Sequence, residues 1–339
     1  MTFVAPAAMM DAMPSFSRTA VVLVAAVSLA ACASGEGSTA TTGGPPTART
    51  DMVAVVATTD LAVGSQRVSV GLPLDDQRNV SFGTVELSVS YLGTAEEPST
   101  PQPTGVTYEA RYIPTPGTPD APEDGGGARV TSPSEARGIY QANDVSFDRA
   151  GFWQVAVVAE LEGTGTQRAT SAFEVLEEPA LPAPGDEALP TRNLTLGAKG
   201  VPEEAIDSLA VTEGEIPDPE LHRWTIAEAL RQHVPIVVIF ATPVYCVSRF
   251  CGPVTEAVEE LAARYEDRAA FIHIEIWRDF NAQPQVVNQA AADWLYRNDD
   301  LTEPWLYTIG TDGVIVDRWA SVFDPAEVAA WLDDLPPLP

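Results

Sequence analysis

From Met52 to Val175 apolar and polar residues alternate in short runs. Val68-Ser69-Val70-Gly71-Leu72, Val85-Glu86-Leu87-Ser88-Val89-Ser90-Tyr91 and Phe152 to Ala159 all repeat with period two. Side chains in a strand point alternately to opposite faces, so each run predicts a half-buried strand, and Thr170–Val175 predicts a last one. No stretch here sustains a helical period. Gly93 to Ser134 is rich in Pro, Gly, Thr and acids, includes Gly125-Gly126-Gly127, and predicts a long loop. Residues 52–176 therefore predict an all-β domain.

Beyond it the period changes. Pro179, Pro182, Pro184 and Pro190 mark residues 177–220 as a linker and weakly patterned lead-in. From residue 221 to 339 strand and helix signals alternate. Thr225-Ile226-Ala227-Glu228 is a capping box that opens a short helix. Ile236 to Phe240 is a continuous apolar run, as in a strand buried on both faces. Val254, Ala257, Val258, Leu261, Ala262 and Tyr265 lie on one helical face. Phe271–Trp277 predicts a strand, and Val286, Val287, Ala290, Ala291, Trp294 and Leu295 a second helix. Trp305–Ile309 and Val314–Trp319 predict a hairpin around Thr311-Asp312-Gly313. Asp324-Pro325 caps a last helix with its apolar face at Val328, Trp331, Leu332 and Leu335. The order is β-α-β-α-β-β-α.

Charge narrows the partners. Lys and Arg number 19 against 48 Asp and Glu, a formal net charge of −29, and Lys199 is the single lysine. Phosphate backbones and anionic lipid surfaces select for positive fields, so neither nucleic acid nor a basic membrane patch is expected.

Ala20–Ala31 is apolar and follows Arg18. Twelve helical residues span ~18 Å, short of the ~30 Å hydrocarbon core, so residues 1–31 read as a signal peptide rather than a membrane span. Leu29-Ala30-Ala31-Cys32 resembles the bacterial lipobox, which implies cleavage before Cys32 and a diacylglycerol on its thiol. Residues 32–51 then form a flexible tether with a reach of ~25 Å. The resemblance implies an extracytoplasmic protein held to the cell membrane by lipid.

Gly138-Ile139-Tyr140, Val145-Ser146-Phe147 and Ala150-Gly151-Phe152-Trp153 resemble the end of many bacterial immunoglobulin-like domains. That resemblance implies a β-sandwich for residues 52–176. After the signal this domain holds one methionine, Met52, and no histidine precedes His222. Soft-metal binding by it is therefore not expected.

With Cys32 lipidated, Cys246 and Cys251 remain as an isolated pair in an oxidising compartment. Five positions on a regular helix lie ~140° apart, so the two cannot bond from one helix. Cys251-Gly252-Pro253 opens the helix, which puts Cys251 at its N-terminus and Cys246 on the preceding loop. Thiolates are stabilised at helix N-termini; Arg249 adds charge nearby, and Tyr245 and Phe250 offer apolar surface.

The element order, the cysteine pair after the first strand and Pro304 before the hairpin resemble the thioredoxin-like superfamily. That resemblance implies an α/β thioredoxin-like domain over residues 221–339, with Cys246 and Cys251 as catalytic residues. It also implies a cis Glu303–Pro304 bond with Pro304 facing substrate. Four residues separate the cysteines where the family has two, and Ile239 stands near its buried acid, whose loss would slow exchange. The expected function is thiol–disulfide exchange with protein thiols or disulfides, without a cofactor. Two alternatives stay open. The Sco copper-assembly family also pairs two cysteines with a later histidine, for which His222, His233 and His273 are the candidates; two thiolates suit Cu(I). A surface lipoprotein with a purely structural disulfide is the other. Peroxiredoxins are not matched, because Thr242 and Pro243 stand in the wrong order.

Replacing Cys32→Ser is expected to release the mature chain from membranes or leave its precursor uncleaved. Membrane fractionation and precursor size check this; lipid-free wild-type protein would contradict it.

Overall fold

The computed structural model describes residues 52–118, 126–246, 250–298 and 300–338. The expected signal peptide, Cys32, the tether and Arg249 lie outside these residues. The first sheet and a small adjoining pair use β1 (Val55–Val56), β2 (Gly64–Gly71), β3 (Asn79–Ser81), β4 (Thr84–Gly93), β5 (Pro98–Pro114), β6 (Arg129–Thr131), β7 (Gly138–Phe147), β8 (Gly151–Leu161) and β9 (Gly165–Val175). Strands β3 and β6 pair with each other. The other seven form one antiparallel sheet in the order β1-β2-β7-β5-β4-β8-β9.

Alternation explains its curvature. Trp153, Val155, Val157, Ala159 and Leu161 of β8 all turn inward, meeting Val85, Leu87 and Val89 of β4 and Val145 and Phe147 of β7. Trp153 is packed edge-on by Phe147 and Tyr91, and its indole N–H donates to the Arg149 carbonyl at 3.1 Å. The sheet curls until its ends meet. The Val63 amide donates to Leu176 O at 2.9 Å, and the Leu176 amide to Leu61 O at 2.8 Å.

The remaining elements are α1 (Ala210–Glu213), α2 (Ile226–Arg231), β10 (Ile236–Ala241), α3 (Cys251–Tyr265), β11 (Ala270–Glu275), β12 (Trp277–Asp279), β13 (Val286–Val287), α4 (Gln289–Leu295), β14 (Tyr296–Arg297), β15 (Asp300–Leu301), β16 (Trp305–Ile309), β17 (Ile315–Ala320) and α5 (Pro325–Asp333). Short 3₁₀ turns occupy Glu203–Ala205 and Pro219–His222. A four-stranded sheet runs β11-β10-β16-β17, with β10 and β11 parallel and the other pairs antiparallel. All six residues of β10 are buried, as its unbroken apolar run requires. Val237, Ile239 and Ala241 face Val254, Val258 and Leu261 of α3 and Val328 and Leu332 of α5. Ile236, Val238 and Phe240 face Ile226 and Trp294 on the opposite side. Among the described residues no helix is long and apolar enough to cross a membrane.

Both expectations of fold class are corrected. An immunoglobulin-like sandwich requires two facing sheets, whereas the seven strands join into one nearly closed, barrel-like antiparallel sheet. The thioredoxin-like α/β fold is not supported either: the chain is mainly β, with 41% strand against 17% helix. Much of the difference comes from strands in segments whose pattern points elsewhere. Val286 and Val287 continue a helical face in sequence, but Asn288 caps the helix by accepting from the Ala290 amide, so the two valines precede it and pair with β12. β14 and β15 follow directly. The predicted loop after Gly93 contains β5, the longest strand. Its prolines mask the alternation from Val106 to Tyr112, which pairs with β4 and, further along, with β7.

The Glu177–Arg192 segment lies against the four-stranded sheet. Leu181 and Ala188 are buried, and Gly185 and Ala188 donate their amides to Ile315 O and Gly313 O. Arginines join this region to the first sheet. Arg318 pairs with Asp60 at 2.7 Å, their side chains only 9% and 6% exposed, and donates to the Leu181 and Pro182 carbonyls. Asp60 also accepts from the Ala180 and Leu181 amides. Arg67 grips Asp317 with two hydrogen bonds and covers the Trp319 ring, and Arg111 reaches Asp324 and Glu327.

Removing one member of a buried pair strands the other charge, so Arg318→Ala is expected to cost about 3–5 kcal/mol in urea unfolding. Arg149→Ala, in an exposed pair with Asp148, is expected to cost less than about 1 kcal/mol. Equal effects would contradict a special role for the buried pair.

Candidate functional site

Strand β10 ends at Ala241, and the chain then turns through Thr242–Cys246 before α3. The Cys246 amide donates to Thr242 O at 3.1 Å and the Val244 amide to Ser208 Oγ at 3.2 Å, which holds this turn against the lead-in segment. Cys251 is the first residue of α3, and Cys246 lies on the loop before it. A disulfide joins them, with Cα atoms 6.1 Å apart. Their environments differ. Cys251 is fully buried among Val254, Leu221 and Ile239, whereas Cys246 is half-buried. The first turn of α3 carries no acidic residue. A helix N-terminus favours a thiolate at its first residue, here Cys251.

A carboxyl completes the group. Glu303 brings an oxygen within 4.8 Å of both sulfurs, and its Oε2 has no hydrogen-bond partner among the described residues. Burial, with the charge of Glu275 adding to it, pushes Glu303 from the ordinary 4.5 up to about 7. Glu275 is itself raised by burial and accepts from the Ser208 and Trp277 amides. The Glu303–Pro304 bond is cis, and Pro304 is buried at the entry to β16, its carbonyl accepting from the Ser321 amide. Ile239, near the place of the expected acid, is buried among apolar neighbours. The carboxyl beside the sulfurs is that of Glu303, distant in sequence, whose only sequence signal is its place before Pro304.

The flanking aromatics separate. Tyr245 stacks on Phe280 with centroids 4.1 Å apart, and Trp277 packs edge-on against the same ring. Phe250 turns the other way and packs with Ile113, Ile139 and Val322. Beside the start of α3 a cavity of about 500 Å³ runs between Phe250, Pro253 and Glu256 on one side and Pro116, Pro133 and Arg137 on the other.

The three histidines do not join the cysteines. His233 is exposed, with Nδ1 3.1 Å from Thr311 O. His222 and His273 are buried in a separate group with Asp207 and Asp218. There His273 is raised to about 9, because the Asp207 charge outweighs its burial, and Asp207 is held far below the usual carboxylate range. No protein-family model matches the chain, and no curated protein matches it. The immunoglobulin-like and thioredoxin-like resemblances thus gain no support from comparison.

The raised Glu303 favours its neutral form in the folded state. Its contribution to stability is full below pH 4.5 and is lost as pH rises through about 7. Glu303→Gln is expected to remove up to about 3 kcal/mol of the stability lost between pH 5 and 8, read from urea unfolding at each pH. Parallel wild-type and variant profiles would contradict this.

Proposed function

We propose that the chain carries out thiol–disulfide exchange with protein substrates through Cys246 and Cys251, outside the cytoplasm and tethered by Cys32. The observation that carries this reading is the unequal pair: a half-buried Cys246 bonded to a buried Cys251 at a helix N-terminus, with a raised carboxyl beside both sulfurs. A purely structural bridge needs neither the exposure of one sulfur nor a nearby proton acceptor.

In the oxidising direction a substrate thiolate attacks Cys246 Sγ. A mixed disulfide forms, the Cys246–Cys251 bond breaks, and Cys251 leaves as a thiolate at the start of α3. A second substrate thiol then attacks the substrate sulfur of the mixed disulfide, releasing oxidised substrate and the Cys246 thiolate. The two substrate thiol protons end on the two cysteines, and the neutral Glu303 carboxyl is placed to protonate the leaving sulfur. In the reducing direction Cys246 attacks a substrate disulfide, Glu303 takes the Cys251 proton, and Cys251 displaces the product. The cavity beside Phe250 and Pro253, lined by both apolar and polar side chains, and the Tyr245–Phe280 stack give an extended segment surfaces on which to lie. A second reading has support in the same cluster: once reduced, the two sulfurs and Glu303 lie close enough to share a Cu(I) ion.

Cys251→Ser is expected to attack a disulfide-containing peptide through Cys246, releasing one peptide thiol and accumulating a mixed disulfide, and Cys246→Ser to form none under native conditions. Glu303→Gln is expected to slow reduction by dithiothreitol roughly 10²-fold below pH 7. A pair that resists dithiothreitol until the chain unfolds, with no trapping by either variant, would establish a structural bridge. Stoichiometric Cu(I) on the reduced chain without trapping would favour the copper reading.

A further inference from the structure

Asp207, Asp218, His222 and His273 come from separate parts of the chain and meet in the interior. Asp207 follows the 3₁₀ turn Glu203–Ala205, Asp218 and His222 flank the turn Pro219–His222, and His273 sits within β11. All four side chains are at most 1% exposed. One ligating atom of each converges: His222 Nε2 lies 3.3 Å from Asp207 Oδ2 and 3.6 Å from Asp218 Oδ1, and His273 Nδ1 lies 3.3 Å from Asp207 Oδ2. A tetrahedral centre with bonds of ~2.0–2.1 Å places its ligand atoms ~3.3 Å apart.

Hydrogen bonding accounts for only part of this packing: His222 Nε2 is within hydrogen-bond distance of Asp207 Oδ2 at 3.3 Å, but Asp218 is left out. Both carboxylate oxygens of Asp218 lack a hydrogen-bond partner although the residue is buried, a costly state for an ionised group. His273 Nε2 lies 3.2 Å from Ala241 O, which can only accept, so that nitrogen carries the proton. With Nδ1 protonated as well, the ring pairs with Asp207 at 3.3 Å; when a metal displaces that proton, the Nδ1 lone pair faces the same centre. The backbone carbonyl on Nε2 is the support that orients metal-bound imidazoles. Asp207 Oδ1 is likewise fixed by the Leu209 amide at 2.8 Å, leaving Oδ2 for the centre.

We propose that Asp207, Asp218, His222 and His273 form a closed, four-coordinate site for a divalent metal of the zinc type. Two carboxylates and two neutral imidazoles around a dication sum to zero charge, so the interior holds no net charge. Imidazole and carboxylate donors suit zinc better than Cu(I), which prefers thiolates. Four protein ligands leave no open position, so the metal is structural. It joins the lead-in segment to β11 and, through Ala241 O and Ser208 Oγ, braces the turn that carries Cys246. The site does not depend on the redox reading.

The test uses the full mature chain, stripped with chelator under conditions where it stays folded, and then titrated with Zn²⁺ and Co²⁺. About one ion is expected per chain, with a rise in Tm. Co²⁺ is expected to give the intense visible bands of tetrahedral coordination without a thiolate charge-transfer band, in wild type and in Cys246→Ser/Cys251→Ser alike. Asp218→Asn, which keeps shape and removes a buried charge, is expected to weaken Zn²⁺ binding at least 10-fold, and His222→Ala to abolish it. Absence of stoichiometric binding by the folded wild type overturns the proposal. So does a weak octahedral cobalt spectrum, or binding that is lost in the double serine variant and kept in Asp218→Asn. Because the wild-type spectrum decides alone, a variant that fails to fold leaves the proposal open to refutation.

Discussion

The Asp60–Arg318 pair is the constraint on which the arrangement of the two sheets rests. Asp60 stands between β1 and β2, and Arg318 lies within β17. Between them pass residues 180–182, whose amides bind Asp60 and whose carbonyls bind Arg318. Three parts of the chain far apart in sequence thus meet around one salt bridge, in which both terminal nitrogens of Arg318 donate. The Arg318 guanidinium also lies over the Trp305 ring at 5.2 Å, so the same side chain helps set the start of β16 and with it Glu303. In a chain with 19 basic against 48 acidic residues, a buried arginine has many possible acidic partners. Its selection of Asp60 gives this joint direction as well as energy.

The same shortage of positive charge shapes the candidate site. Burial raises both Glu275 and Glu303, the charge of Glu275 adds to the rise at Glu303, and no described arginine is paired with either. Glu303 so placed takes up its proton near pH 7.

Local order was legible where one segment decides it. The Thr225–Glu228 capping box, the β10 apolar run, the α3 face and Cys251 at its start all stand where their patterns place them. Side chains that meet through long-range packing were not legible. Glu303 reads in sequence as a residue before a turn, and Asp207 and Asp218 lie in a segment without clear period. His273 sits in an apolar strand, where a packed ring is the ordinary expectation. The overall fold escaped the sequence for a related reason. Period two predicts strands but not their partners, so seven strands that close into one sheet have the same alternation as two sheets that face each other. Prolines in β5 and valines ahead of Asn288 further hid strand under the signs of loop and helix.

The meeting of Leu61–Val63 with Leu176 has a consequence for how the molecule behaves among its own copies. An open sheet ends in rows of unsatisfied amides and carbonyls, which act as templates for intermolecular pairing. Here β1 is only two residues long, and the chain beside it takes the backbone groups at the end of β9. The edge at β17 is likewise met by the Asp186 and Gly185 backbone and by Arg67. The seam at Leu176 and the cover over β17 shorten the open edges, and the exposed rim that remains is the run of β9 ahead of Val175.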